Sequence, residues 1–248
     1  MKKKDKLALI RQYYPNANTT SDTIEWIVDF IEEELDIEAK HVMLADSICS
    51  DDVNSIQYPQ AANEFLGPFK MGGLDGFPFT GLTGMSAFAS HVPNNGAVFI
   101  YYGPHIGVSA NGSLGEICRY GQDIRSSCCG AAKGALDNLK EGKISEGKVH
   151  DLDYQMNTIE QILYRQKERV LSARLPMYEA TEVIYEAIDA QMQKLVAQTA
   201  YLCQYLILMG GILINGDIGV GSFHDTRRLD LLNLKTGERQ DLRVREMT

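Results

Sequence analysis

Basic residues are few in this sequence, and they are scattered. Its 248 residues include 24 Lys and Arg against 33 Asp and Glu, which gives a formal net charge of −9. The one basic cluster is MKKKDK at the N-terminus. A protein that binds nucleic acid normally carries a basic face, so we exclude nucleic acid as a partner. The acidic balance itself indicates solubility rather than a specific ligand.

Long apolar runs are also lacking. The longest, YLILMGGILI at residues 205–214, is too short to span a bilayer and contains two glycines. The apolar stretch after the N-terminal lysines is soon interrupted by Arg11, so it does not form a signal-peptide core. We therefore expect no membrane span and a cytoplasmic protein.

Cysteines are few and odd in number, with five in the chain. This count, without a secretion signal, favours a reducing compartment, in which thiols serve as ligands, nucleophiles or core residues rather than disulfides. Cys128 and Cys129 are adjacent in SSCCGAAKGAL, where a disulfide between neighbours is geometrically difficult. Cys118 and Cys203 are expected to be buried thiols, which is the commonest state of a free cysteine.

The N-terminal part of the chain has a helical pattern. In TTSDTIEWIVDFIEEELDI, cap-type residues precede apolar residues at helical spacing, so residues 1–40 are predicted to form an N-terminal helical arm. The apolar stripe of such a helix packs either on the chain's own core or on a partner subunit.

The remaining residues, 41–248, are predicted to form one main domain. HVMLAD and GAVFIYYGPHIGVS are typical of strands buried on both faces, as in a parallel sheet. A mostly helical stretch follows, and RRLDLLNLKTGERQDLRV predicts a C-terminal hairpin that turns at residues 235–237. The predicted fold class is α/β, with a mostly parallel central sheet flanked by helices.

Reactive side chains occur where predicted strands end and helices begin. Cys49 and Asp51 follow the VMLAD strand, His105 ends VFIYYGP, and Cys128 and Cys129 open CGAAKGAL. Sites in parallel α/β sheets form at these carboxyl ends of strands. Two thiolates and an imidazole are a ligand set for tetrahedral zinc with one open position, and a helix N-terminus favours thiolate. A cysteine enzyme, with Cys49 or Cys129 activated by His105, uses the same residues and stays an alternative.

The segments SICSDDV, YYGPHIGVS and CCGAAKGAL resemble motifs of the β-class carbonic anhydrases. In that family one strand ends in Cys-x-Asp-x-Arg, and a later strand ends in Gly-His-x-x-Cys-Gly before a small-residue helix. Here 23 residues, 106–128, separate His105 from Cys129, and Val53 stands where the family has arginine. The insertion, together with GFPFTGLTG and AFASHVPNNG, makes residues 40–240 similar to the limiting-carbon-dioxide-inducible protein B/C family, whose fold is β-carbonic-anhydrase-like.

This resemblance implies Zn²⁺ bound by Cys49, His105 and Cys129. Cys129 is preferred to Cys128 because it directly precedes the glycine of CGAA. Asp51 is implied to accept a hydrogen bond from the zinc-bound water, or to bind zinc itself in a resting state.

The resemblance also requires an arginine partner for Asp51, which Val53 cannot supply. We predict that Arg119, in ICRYGQ, takes this place, with Arg125 as the second candidate. His91 is predicted to be a proton shuttle, although a hydrogen-bonded loop histidine explains it equally well. Weaker candidates for lining the site are Gln122 and three aromatic residues, Phe77, Phe79 and Phe88.

The implied activity is the reversible hydration of carbon dioxide to bicarbonate by a zinc-dependent carbonic anhydrase. The implied assembly is a homodimer in which the N-terminal arm wraps a neighbour. The main alternative is a family member that binds zinc, has lost turnover, and acts as a binding protein in inorganic-carbon handling.

Overall fold

Helices cover both faces of an eight-stranded mixed sheet in the computed structural model, which describes residues 3–54, 60–147, 149–217 and 221–243. The strands are β1 (Asn18–Thr19), β2 (Val42–Ser47), β3 (Leu66–Lys70), β4 (Ala97–Tyr102), β5 (His105–Gly107), β6 (Glu116–Cys118), β7 (Arg125–Ser127), β8 (Tyr205–Asn215), β9 (Ser222–Asn233) and β10 (Arg239–Asp241). The helices are α1 (Lys3–Ile10), α2 (Thr20–Leu35), α3 (Gly81–Ser90), α4 (Gly130–Lys140), α5 (Tyr154–Arg165), α6 (Lys167–Ser172) and α7 (Pro176–Gln198). Short 3-10 turns lie at Ala39–His41, Asp52–Asn54, Gln60–Glu64 and Leu74–Gly76.

The central strands are parallel, as the sequence predicts. The order is β1-β9-β8-β4-β2-β3, and neighbours among β3, β2, β4 and β8 run in the same direction. β4 pairs with the first half of β8, and β5 pairs in parallel with its last three residues. β9 is antiparallel to β8, β1 and β10. The predicted C-terminal hairpin is therefore confirmed as β9 and β10.

Every residue of β2 and β4 is buried, because each face of the sheet packs against helices. Val98 and Ile100 join one core cluster, which includes residues of α4, α5 and α7. Ala97 and Phe99 alternate to the other face and join the cluster that includes α2. This double burial explains why these strands are continuously apolar rather than alternating.

Helix α2 packs on the chain's own core, which is one of the two alternatives that its apolar stripe left open. The apolar stripe of α2, formed by Ile24, Ile27, Val28 and Ile31, is buried against the chain's own sheet. β1 extends that sheet by pairing with β9. The α2 stripe is used in the chain's own core because one face of the sheet would otherwise expose apolar side chains such as Phe99 to water.

None of the helices in the described part of the chain combines the length and apolar character needed to cross a bilayer. The run YLILMGGILI lies within β8, in the middle of the sheet. The carboxyl ends of β8, β2 and β4 lie at the same end of the sheet, because these strands are parallel. The reactive residues gather at this end.

Candidate metal centre

Three elements place the predicted ligands. Cys49 lies two residues beyond the end of β2, His105 is the first residue of β5, and Cys129 is the N-cap residue of α4. Their ligand atoms all lie within 4.8 Å of one another, and all three side chains are buried. The Sγ atoms of Cys49 and Cys129 are 4.0 Å apart. The structure therefore brings together three residues that are separated by 56 and 24 positions in the sequence.

The imidazole of His105 presents one nitrogen to the two sulfurs. Nδ1 lies 2.8 Å from Oδ1 of Asn215, whereas Nε2 is buried and has no hydrogen-bond partner. A buried polar atom without a partner calls for an explanation, such as an ion. One imidazole nitrogen and two sulfurs are ligands that Zn²⁺ prefers, so the three side chains fit this metal.

Both thiols are stabilised in their protonated form without a metal. A hydrogen bond with Cys129 and burial raise the pKa of Cys49 well above its ordinary value. For Cys129, the hydrogen bond with Cys49 lowers the pKa, but burial and the nearby Asp75 carboxylate outweigh it and the pKa is raised. A buried thiol with a raised pKa is a weak nucleophile, which argues against the cysteine-enzyme alternative.

Asp51 forms a bidentate ion pair with Arg119. Nη1 and Nη2 of Arg119 each donate a 2.7 Å hydrogen bond to one carboxylate oxygen of Asp51. The two side chains are 14% and 15% exposed. Burial raises the pKa of Asp51, but the bonds from Arg119 outweigh it and lower this pKa to about 2. Asp51 is therefore ionised at neutral pH, beside the three candidate ligands.

The 106–128 insertion carries this arginine. β6 and β7 form an antiparallel hairpin, and Arg119 directly follows β6. Nε of Arg119 donates to Oγ of Ser126 at 2.8 Å, and Nη2 donates to the carbonyl of Ser127 at 3.2 Å. The guanidinium thus spans from the second strand of its hairpin to Asp51. Arg125, the second candidate, instead contacts Glu116 at 3.3 Å.

Asp75 lies at the centre, and the sequence reasoning missed it. Its backbone N–H donates to Sγ of Cys49 at 3.2 Å, and its Oδ1 accepts from the backbone N–H of His105 at 3.4 Å. The side chain is fully buried, Oδ2 has no partner, and burial raises the pKa of the carboxyl group. The backbone is left-handed at φ 52°. The signal available was GGLDGFPF, a turn-rich segment with one acidic residue.

The turn that carries Asp75 is fixed by close backbone packing. A side chain at Gly76, whose φ is 80°, would meet the carbonyl oxygen of Gly103 at 2.2 Å. The Oγ of Ser47 also donates to the carbonyl of Gly76 at 2.9 Å. The turn is thereby held between the end of β2 and the connection from β4 to β5.

Cys128, expected to be a silent core thiol, is fully buried on the other side of the His105 ring. Its Sγ lies 3.5 Å from Nδ1 of His105 and 3.5 Å from Oδ1 of Asn215. It is not part of the group of three candidate ligands. Two further thiols lie elsewhere. Cys203 is buried as expected, whereas Cys118, also expected to be buried, is half-buried on the β6–β7 hairpin, where its Sγ donates to the carbonyl of Gln122.

The structure does not bring His91 together with the ligands. It is exposed at the end of α3, with its ring 6.2 Å from that of Phe69. Gln122 is exposed on the β6–β7 loop. Phe88 is a core residue, while Phe77 and Phe79 are half-buried and pack together beside the turn that holds Asp75. The roles proposed for these residues stay predictions.

Comparison with known proteins gives one family. A family model described as limiting CO2-inducible proteins B/C beta carbonic anhydrases matches residues 18–233. No curated protein gives a significant match.

Solved structures are similar over nearly the whole chain. A homologue of the limiting CO2-inducible protein LCIB, PtLCIB4, has a TM-score of 0.81 and 26% identity, covering 95% of this chain and 98% of its own. LCIB itself has a TM-score of 0.68 and 18% identity, with coverages of 93% and 95%. A β-carbonic anhydrase from Sordaria macrospora matches at a TM-score of 0.37 and 12% identity, with 89% of each chain covered. The chain belongs to the family of the limiting CO2-inducible proteins B/C, the beta carbonic anhydrases of that name.

Proposed function

We propose that the protein is a zinc-dependent carbonic anhydrase that interconverts carbon dioxide and bicarbonate. One observation carries the proposal: the buried Cys49, His105 and Cys129 have their ligand atoms within 4.8 Å of one another. The membership of a family described as beta carbonic anhydrases supports the reaction class. Zn²⁺ held by such a set lowers the pKa of a coordinated water to about 7 and so supplies hydroxide at neutral pH.

Asp51 and Arg119 orient the attacking hydroxyl in this proposal. Arg119 holds the Asp51 carboxylate with two hydrogen bonds and keeps it ionised, so the carboxylate accepts a hydrogen bond rather than donating one. An acceptor fixed in this way directs a hydroxyl lone pair toward an electrophilic carbon. Because the carboxylate is already paired with Arg119, we favour this role over direct metal binding by Asp51.

Proton release and assembly are further parts of the proposal. His91 stays the predicted proton shuttle, although its exposed ring at the end of α3 is not gathered with the three ligands. A homodimer is supported by exposed apolar side chains beside Arg119, since Tyr120 is 90% exposed and Ile124 is 76% exposed. Light scattering on the purified protein measures the assembly directly.

The central experiment combines metal analysis with carbon dioxide hydration in a stopped-flow assay. We expect one zinc per chain, and loss of hydration on chelation and in C49S. C203S is the matched control, because Cys203 is also a buried cysteine but lies away from the three ligands. Full zinc loading without hydration would select the catalytically silent alternative. Absence of zinc, with rapid alkylation of one cysteine, would select the thiol enzyme.

A further inference from the structure

Asn215, the last residue of β8, uses both ends of its side-chain amide close to the candidate metal centre. It is 3% exposed. Its Oδ1 lies 2.8 Å from Nδ1 of His105. Its Nδ2 donates to the carbonyl of Val53 at 3.2 Å and to Oδ1 of Asn54 at 3.1 Å. The amide therefore joins a candidate ligand to the loop that carries Asp51.

The neighbours of Asn215 dictate which way its amide faces. The carbonyl of Val53 can only accept a hydrogen bond, so the NH₂ group must point toward it. Asn54 is consistent with this direction, because its own Nδ2 donates to the carbonyl of Cys49 at 3.4 Å and leaves its Oδ1 free to accept. Oδ1 of Asn215 is then the atom that faces the His105 ring.

The protonation pattern of His105 follows from that direction. An amide oxygen only accepts, so Nδ1 of His105 must carry the proton that it shares with Asn215. In the neutral ring Nε2 is then left with its lone pair, and this buried, unpartnered atom is the nitrogen available to join the two sulfurs in holding a metal. A ring nitrogen that carries a proton cannot ligate a metal, so the opposite tautomer would present the wrong group.

We propose that Asn215 is the positioning residue that fixes the ring orientation and tautomer of His105 for metal binding, and that it locks the Asp51 loop to that ring. The proposal rests on the proposed function only for the identity of the metal, Zn²⁺. Cys128 is the other group near Nδ1, at 3.5 Å, but a thiol is a weak acceptor and does not replace the amide.

Two variants of Asn215 separate its acceptor from its donor. N215L has a similar volume and neither function. N215D keeps an acceptor for Nδ1 but has no NH₂ group for Val53 and Asn54. N233L is the matched control, because Asn233 caps a turn through its Oδ1 at the opposite end of the β8–β9 pair.

The readouts are zinc affinity, measured by competition with a chromophoric chelator, and the Nδ1–H signal of His105 in the zinc-loaded protein labelled with ¹⁵N-histidine. Mutation of a residue that hydrogen-bonds to a metal ligand typically lowers metal affinity 10- to 100-fold. We therefore expect N215L to bind zinc about 10- to 100-fold more weakly than wild type and to lose the Nδ1–H signal. N215D is expected to bind zinc within a few-fold of wild type and to keep the signal. N233L is expected to bind zinc as wild type does.

The proposal is overturned if N215L keeps wild-type affinity and the Nδ1–H signal, or if N215D loses affinity as fully as N215L. If N215L does not fold, loss of the signal in N215D overturns it. Zinc binding by the wild type without hydration of carbon dioxide would refute the proposed function and leave the role of Asn215 intact.

Discussion

The ion pair between Arg119 and Asp51 should stabilise the folded state, and R119L tests this. The pKa of Asp51 is lowered from its ordinary 3.8 to about 2, which corresponds to about 2 kcal/mol of native-state stability at neutral pH. Both side chains are about 15% exposed, so solvent screens the pair less than it would a surface pair. We therefore expect the loss of this pair in R119L to lower the free energy of unfolding at pH 7 by about 2 kcal/mol.

Denaturant unfolding of a double-mutant cycle isolates the pair from the other contacts of Arg119. R119L also loses hydrogen bonds to Asp52, to Ser126 and to the carbonyl of Ser127, but the cycle of D51N, R119L and the double variant subtracts them. The expected coupling energy between Asp51 and Arg119 is about 2 kcal/mol. R125L is the control, because Arg125 contacts a half-exposed Glu116 and should contribute less than about 1 kcal/mol.

The pH dependence gives the sign of the effect. A depressed carboxylate pKa stabilises the folded state above about pH 4, and this contribution is lost as the pH falls toward 2. The difference between wild type and R119L should therefore shrink below pH 4. Carbon dioxide hydration at pH 7 should fall about 100-fold in R119L, since Asp51 loses its fixed orientation. A coupling energy near zero, or full hydration activity in R119L, would refute the reasoning.

Three further predictions concern the metal centre and the core. Because the pKa values of Cys49 and Cys129 are raised, zinc binding should release about two protons and weaken as the pH falls; calorimetry in buffers of different ionisation enthalpy measures this, and no proton release would contradict it. At Asp75, Asn tolerates the left-handed backbone and keeps the acceptor for the N–H of His105, Gly tolerates the backbone only, and Ala does neither. Melting temperatures should therefore fall in the order D75N, D75G, D75A, and equal melting temperatures would show that neither feature matters. Burial, followed by the charge of Arg227, lowers the pKa of His224 to about 3, so its protonation in the unfolded state should cost about 2 kcal/mol of stability between pH 7 and 5. Denaturant titrations should show that H224F removes this part of the acid sensitivity, and an unchanged pH profile would be the contrary result.

The fold was predictable because its main signals are local. Continuously apolar strands indicate burial on both faces, and polar residues at the carboxyl ends of such strands indicate a site. That reasoning selects Cys49 and His105, which the structure places together with Cys129. The surface on which the apolar stripe of α2 packs was not predictable from the sequence. Helical periodicity shows that one face of a helix is apolar, but it does not show which surface covers that face.

Asn215 and Asp75 were not found from the sequence for a different reason. Each is a single polar residue in an apolar or glycine-rich segment, and its significance depends on contacts made across the sheet. Asn215 ends the buried β8 strand, so the strand-end reasoning applied to Cys49 would have selected it. Asp75 lies five residues beyond β3, a strand that the sequence analysis did not predict, and only its packing against the backbone of His105 reveals its position.

The insertion explains how the Asp–Arg pair survives without an arginine at position 53. Val53 still contacts Asp51, but through its backbone N–H, which donates to Oδ1 at 3.3 Å. The guanidinium comes from Arg119, and the hairpin that carries it is tied at both ends. At the loop end the N–H of Cys118 donates to Asp217, and at the base the N–H of Cys128 donates to the carbonyl of Gly115. An arginine two residues from Asp51 needs only the local loop, whereas this one requires the whole 106–128 segment to be folded. Asp51 and Arg119 are therefore brought together by the tertiary structure rather than by a short sequence motif. A motif search that requires Cys-x-Asp-x-Arg consequently misses this site, although the site contains both the aspartate and the arginine.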